Sequence, residues 1–574
     1  MVPRWLYLTG EPRLLRVQAP ALSVAGLGLF RHLGDIVGAA PGELMRILTR
    51  EQPLGPPYTE ELLRSPRGIF EQLYDRTNGC HGSAERDDPV YVVGRKGSGK
   101  TAFLVGTAFV DGAKVILIKS EDAYHEIERL RIRYAREVGP LFAENLAHVW
   151  EVLLTHAAML LSYRVPGLRH TDEGRLIASY LSSYGNPSSL EPGRLLARVG
   201  SALSDVLVRS NPGLTVEEMC ASLQTDVATY EVAHRSFVEL TRRTRVRLYV
   251  VVDNLEDLHV HVDELRTTLS GLFRATREFA RSTGGRPFKV RFAFPAELVQ
   301  RLRDLTANPE KDFLDYLVIR WTAAELMTIA GNRLRRYLDL YHQDDLPGLG
   351  LPRQHDEHDH QMAEATLRAL LPWGGMRTGL GCDEDPVAYV MRHTQLLPRH
   401  LIQILNEILA RAARHRRGVP VATPQDVLEG VREAELRIVD GILSSYSHDY
   451  PYMASALGYL KNHIPNTLSC SELHRAFNAA GVVRAGVDYS DFLEAALDVG
   501  VLGIVDSSTS RYAVGRFSYT FTETLRPVED EDQVCVHPLF MFRLFDRGGI
   551  RRLRDQGRLP VYPYGSDTGQ FDRD

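Results

Sequence analysis

Residues 94–101 read G-R-K-G-S-G-K-T and fit the spacing G-x-x-x-x-G-K-[ST]. Glycines at that spacing let the main chain curl round a phosphate, and backbone N–H groups with a following helix N-terminus favour the negative charge. The candidate phosphate-binding residues are Gly94, Arg95, Lys96, Gly97, Ser98, Gly99, Lys100, Thr101 and Ala102. Among them the Lys100 ammonium is the group for β- and γ-phosphates, and the Thr101 hydroxyl is a magnesium ligand. Lys occurs only at 96, 100, 114, 119, 289, 311 and 461, so a lysine at the phosphate position is harder to ascribe to chance. A second candidate lies in "VRLYVVVDNLEDL", residues 246–258, where an apolar run ends in acids. Asp253 can hold magnesium directly or through water. Glu256 or Asp257 can polarise the attacking water as general base, or the two can cap the next helix and face solvent.

These groups need a strand before the glycine loop, a helix after it and a second strand that ends at Asp253. Apolar runs at 88–94, 113–119, 246–253, 288–294 and 315–321 supply five strand candidates, and "KTAFLVGTAFV" supplies the helix. Strands that alternate with helices indicate an α/β fold with a five-stranded, mostly parallel sheet. The expected organisation is an N-terminal segment of unknown role (1–64), a P-loop core (65–321) with a large helical insertion at about 122–240, and an α-helical lid (322–447). A winged helix (448–547) and a flexible tail (548–574) follow. Thr423 before Pro424 reads as a helix start, and Ser469 with Glu472 as a capping box.

The chain has 574 residues, 44% hydrophobic and 25% charged, which is ordinary globular composition with material for several domains. Its 73 acids against 68 bases give a net charge of −5, so global charge gives no support to a nucleic-acid binder. Five scattered cysteines fit reduced thiols in a cytoplasm and not a disulfide framework or zinc site. No segment has the apolar length of a membrane span, and a soluble cytoplasmic protein is expected.

"GRKGSGKT" with "VVVDNLEDL", a helical lid and a terminal winged helix resembles the AAA-like and STAND-like P-loop ATPases, with a Walker B spelling similar to NACHT and KAP forms. The domain order resembles the origin-recognition initiators, and several bacterial relatives of this layout serve in anti-phage defence. The resemblance implies binding of ATP and Mg2+, with Lys100, Thr101 and Asp253 in the Walker roles and Glu256 and Asp257 as the acids that follow. It implies self-association or a partner protein. Arg399 in "LLPRHLIQILNEI" resembles a lid sensor arginine reaching the γ-phosphate; the alternative is a surface salt bridge. Arg301 and Arg303 read as solvated arginines before they read as a finger for a neighbouring subunit.

Two departures from that pattern bear on rate. Asn254 stands where many such ATPases carry an acid, and "RFAFPAEL" lacks a polar sensor. Slow hydrolysis or a nucleotide-held switch fits better than fast turnover. "HDEHDH" (355–360) reads as a solvated loop before a metal site, and His259 and His261 as ordinary loop residues. The candidate recognition helix of the winged module carries Asp488, Asp491, Glu494 and Asp498 and no base, which favours protein contact over DNA.

Overall fold

Unbroken β-branched and aromatic runs are what a sheet buried on both faces requires, and that is how the five apolar runs are used. The computed structural model describes residues 41–64, 67–75, 90–110, 112–119, 121–137, 143–209, 215–223, 228–253, 266–281, 288–296, 316–354, 356, 358–518 and 528–566. Three short helices come first: α1 (Pro41–Ile47), α2 (Thr59–Arg64) and α3 (Arg67–Leu73). Then β1 (Tyr91–Gly94) leads into α4 (Lys100–Val110) and β2 (Lys114–Lys119).

Six helices separate β2 from β3: α5 (Glu121–Glu137), α6 (Ala143–Arg164), α7 (Asp172–Ser182), α8 (Pro192–Arg209), α9 (Val216–Ala221) and α10 (Tyr230–Thr244). They occupy the stretch expected to be a helical insertion. Thr171, Thr215 and Thr229 cap three of them by accepting backbone N–H bonds. Helix α6 is apolar on all sides and correspondingly central; the Trp150 indole N–H donates to Thr268 O at 3.0 Å. β3 (Leu248–Asp253), α11 (Arg266–Arg281), β4 (Lys289–Pro295) and β5 (Tyr316–Val318) complete the core.

The sheet order is β2-β3-β4-β1-β5, and every pairing is parallel. Alternation along the strands sorts the side chains into two layers. Tyr91, Val93, Val250 and Val252 pack with α6 and α11, while Val92 and Val251 pack with Phe103 and Leu104 of α4. The fold is therefore an α/β P-loop fold.

After β5 come α12 (Ala323–Tyr341), α13 (His360–Ala369), a small hairpin of β6 (Met376–Arg377) and β7 (Asp383–Glu384), α14 (Pro386–Arg392), α15 (Pro398–His415) and α16 (Pro424–Ser445). The Thr423 side chain accepts from Asp426 N and starts α16. Then follow α17 (Met453–Leu460), β8 (Thr467–Ser469), α18 (Cys470–Ala480), α19 (Tyr489–Asp498), β9 (Leu502–Ser508), β10 (Ala513–Arg516) and β11 (Gln533–Val536). The chain continues through α20 (Met541–Leu544), α21 (Arg547–Asp555) and β12 (Val561–Pro563). These strands form a second sheet in the order β12-β10-β9-β11-β8. Ser469 and Glu472 make the capping box of α18.

Three expectations need correction. The tail from 548 is not loose as far as Ser566: α21 buries Leu553, β12 pairs in parallel with β10, and the Tyr562 hydroxyl donates to Glu384 Oε2 at 2.6 Å. Its few apolar residues sit among Gly and Arg, which hid their role. The stretch "RYAVGRFSYTF" reads in sequence as an edge hairpin or wing, but β12 covers β10. The described part of the N-terminal segment is not a separate unit. Leu44, Leu48, Leu54 and Leu62 enter the same hydrophobic core as α12–α19, and Asn406 on α15 clamps Leu54 N and Gly55 O at 2.9 Å each. Among the described residues, no helix is long and apolar enough to cross a membrane.

Candidate functional site

β1 and β3 end at the same edge of the sheet, where ligands of open parallel sheets bind. The loop between Gly94 and Lys100 turns at Gly97 (φ +95°) and Gly99 (φ +86°), angles that other residues rarely adopt. Ser98 N–H closes the turn on Arg95 O at 3.0 Å. Helix α4 begins at Lys100, so the positive end of its dipole meets the loop.

Lys100 is buried, and its ammonium donates to Gly94 O (2.9 Å) and Arg95 O (3.2 Å), which holds it inside the loop's concavity. The Thr101 hydroxyl donates to Asp253 Oδ2. Asp253 is buried at the end of β3. The structure thus brings three of the sequence candidates together: the Lys100 ammonium, the Thr101 hydroxyl and the Asp253 carboxylate. Ser98 is buried with its Oγ unpartnered, Lys96 is exposed, and Ala102 lies in the first turn of α4. Asn254, Glu256, Asp257, His259, His261, Arg301 and Arg303 lie outside the described residues.

Arg399 lies against the loop, and among the described residues it has no ion-pair partner within 4.0 Å. It sits in the first turn of α15, directly on Gly97: a Cβ at Gly97 would lie 3.1 Å from Arg399 Cβ and 3.3 Å from its Cδ. Arg399 N–H donates to Gly97 O at 3.4 Å, its guanidinium stacks 4.8 Å over Tyr58, and its Nε is buried without a partner. Leu396, at φ +51°, turns the chain into this helix start.

Two contributors, Trp321 and Tyr58, and one role, that of Arg95, were not legible in sequence. The Trp321 indole N–H donates to Ser98 O at 2.8 Å, just past the sheet; position 321 reads as the end of a strand, but β5 stops at Val318. Tyr58 comes from the N-terminal segment. Arg95 holds an unspecified position of the loop pattern, yet its guanidinium is buried and donates to Tyr446 OH (3.2 Å) and Val499 O (3.4 Å), at the C-caps of α16 and α19. A cavity of about 80 Å³ adjoins the loop, walled by Phe70, Tyr74, Trp321, Ile329, Pro398 and Ile402.

The donor set suits a magnesium–triphosphate group. The glycine turns leave room for phosphate, Lys100 supplies positive charge, and Thr101 and Asp253 stand side by side with oxygens of the kind that magnesium takes. Among the described residues, no group of three or more His, Cys, Asp or Glu side chains is placed to hold a metal. In the loop at 355–360, Asp359 caps α13 and His360 Nδ1 meets Thr328 Oγ1 at 2.7 Å.

No family model matches the chain, and no curated protein matches it. Solved structures do. The ORC2 protein of Aeropyrum pernix in ADPNP–ADP complexes is 12% identical over 86% of this chain and 93% of that one, with a TM-score of 0.37. The Walker-type ATPase of Pyrococcus abyssi is 12% identical over 82% and 99%, with a TM-score of 0.36. Cdc6p of Pyrobaculum aerophilum is 12% identical over 87% and 94%, with a TM-score of 0.26. At these scores the likeness carries no argument about function.

Proposed function

We propose that the chain is an ATP-binding, slowly hydrolysing switch that couples nucleotide state to oligomerisation or engagement of a partner protein. One observation supports it above others: a single loop touches all the parts that a switch must connect. Gly97 carries Arg399 of the lid, Ser98 O accepts from Trp321, and Arg95 reaches α16 and α19. Lys100 would exchange its two carbonyl partners for phosphate oxygens. One of those carbonyls belongs to Arg95, so a triphosphate alters the peptide that anchors the C-terminal elements. That differential contact is the source of free energy for a shift in arrangement.

Thr101 and Asp253 would hold magnesium, which when bound neutralises charge on the phosphates. Arg399 would meet the γ-phosphate, and Glu256 or Asp257 would orient the attacking water. The base fits the cavity beside Tyr74 and Trp321. The C-terminal elements are read as a winged helix used for protein contact: Asp488, Asp491, Glu494 and Asp498 are all exposed, and Arg516 of the wing is paired with Asp506 at 2.6 Å. A DNA-engaging ATPase is the competing reading.

The test compares wild type with Lys100→Ala for ATP binding, ATP-dependent sizing and phosphate release, with and without DNA. Charge-assisted hydrogen bonds contribute roughly 1.5–3 kcal/mol each, so the variant should lose at least about a hundredfold in ATP affinity. Unchanged binding in the variant removes the proposal. Turnover stimulated by DNA and weakened by salt replaces it with the DNA-engaging reading.

A further inference from the structure

A groove of about 490 Å³ opens on the side of the molecule formed by α14 and α16 against α20, α21 and β12. That is the size of a site for a small organic molecule. None of the residues assigned to the P-loop site lines it.

Its floor is polar and buried. His393 and Asn466 both line the groove, are almost wholly buried, and each has an atom without a hydrogen-bond partner: His393 Nε2 and Asn466 Oδ1. Buried polar groups are nearly always satisfied, and an exception asks for a ligand or a water. The rest of the Asn466 amide is fixed by its Nδ2–H bond to Leu559 O at 2.8 Å. His393 Nδ1 lies 2.7 Å from Glu435 Oε1. Burial, with Arg392 and His537 nearby, holds the imidazole well below its usual range, while burial raises the Glu435 carboxyl. Glu435 thus occupies Nδ1, and Nε2 is the ring nitrogen left without a partner.

The walls are apolar, from Leu428, Met541, Phe542 and Ile550, and the rim is cationic. Arg432 stacks 5.5 Å over Phe542, and Arg547 and Arg551 stand exposed on α21. Among the described residues none of these three arginines has an ion-pair partner within 4.0 Å, whereas Glu429, which lines the groove, is already engaged by Arg411. Arg554, also on the rim, pairs with Asp555.

We propose that this groove binds a small amphipathic organic anion, with an aromatic or apolar body against Leu428, Met541 and Phe542 and its anionic group among Arg432, Arg547 and Arg551. The site joins the lid helices to the C-terminal elements, so its occupant bridges them. It stands independently of ATP binding at the loop.

The probe is 8-anilino-1-naphthalenesulfonate, followed by its fluorescence on the full chain in the presence of saturating magnesium–ATP. Its neutral analogue N-phenyl-1-naphthylamine isolates the role of charge. Wild type should bind one sulfonate, and Arg547→Glu with Arg551→Glu should weaken that binding at least tenfold while the neutral analogue binds both proteins alike. Leu428→Trp, which fills the apolar wall, should weaken both probes. Should the double reversal not fold, Arg551→Gln asks the same question with a several-fold loss expected. Equal sulfonate binding by wild type and the arginine variants overturns the proposal, as does sulfonate that ATP displaces competitively. ATP affinity of the arginine variants should equal wild type; its loss would instead implicate the loop reading.

Discussion

Gly97→Ala and Gly99→Ala form a matched pair that isolates the seat of the lid on the phosphate loop. Both glycines hold a positive φ, +95° and +86°, so alanine at either position carries strain of roughly 1–2 kcal/mol. Their surroundings differ. At Gly99 the new methyl meets only Trp321 Cζ2 at 4.0 Å, an ordinary contact. At Gly97 it lies 3.1 and 3.3 Å from Arg399 Cβ and Cδ, and the Arg399 Cβ is fixed to the backbone of α15. Relief requires the helix start to move, which costs about 1–2 kcal/mol more and weakens the Arg399 N–H bond to Gly97 O. Denaturant unfolding should therefore show a loss of about 1–2 kcal/mol for Gly99→Ala and about 2–4 kcal/mol for Gly97→Ala. Hydrogen exchange at the Arg399 amide should quicken about tenfold in Gly97→Ala and stay unchanged in Gly99→Ala. Equal losses in the two variants, with an unaffected Arg399 amide, would refute the lid contact.

Three further outcomes follow from the geometry. Asp253→Asn should cancel the difference that magnesium makes to ATP affinity, a change of about tenfold to a hundredfold by titration calorimetry with and without the metal. Trp321→Phe removes the N–H bond to Ser98 O and should cost about 1 kcal/mol, read as faster amide exchange across residues 95–99. Stability should fall as pH drops below about 6.5. Burial holds His156 down to about 4 and His400 down to about 3, and holds His393 and His537 well below the usual range. The unfolded chain takes up these protons and the folded chain does not, while Glu435, raised by burial, keeps one that the unfolded chain releases. Each imidazole kept neutral takes up about one proton on unfolding, roughly 1.4 kcal/mol per pH unit, and Glu435 offsets part of the sum. A flat denaturant midpoint between pH 7 and 5.5 would contradict those buried neutral imidazoles.

The sheet and the loop were legible because their physics is local. Parallel strands need unbroken apolar runs, and glycine at 97 and 99 is what positive φ demands. Asp253 was legible because a lone carboxylate at the end of such a run has few other uses. Arg95 was named only as a member of the loop; its anchoring contacts were not legible, since Tyr446 and Val499 lie more than 350 residues away. Tyr58 and Trp321 were hidden for the same reason: Tyr58 stacks on Arg399 and Trp321 bonds to Ser98, both far away in sequence. The packing of residues 547–566 was missed because three strand residues and one leucine supply its anchorage, too few to show a period.

The apolar core that runs from Leu44 through α12–α19 to Leu553 is continuous. Side chains so interlocked transmit displacement without much internal give. Lid and C-terminal elements should accordingly travel as a single lever. It is seated on the P-loop core by Val105 of α4, which joins the same apolar cluster, and by polar contacts of the loop: Arg95 to Tyr446 and Val499, Trp321 to Ser98 O, and Arg399 on Gly97. A displacement at that seat would then move the helices beyond it together, with no need for any element among them to refold.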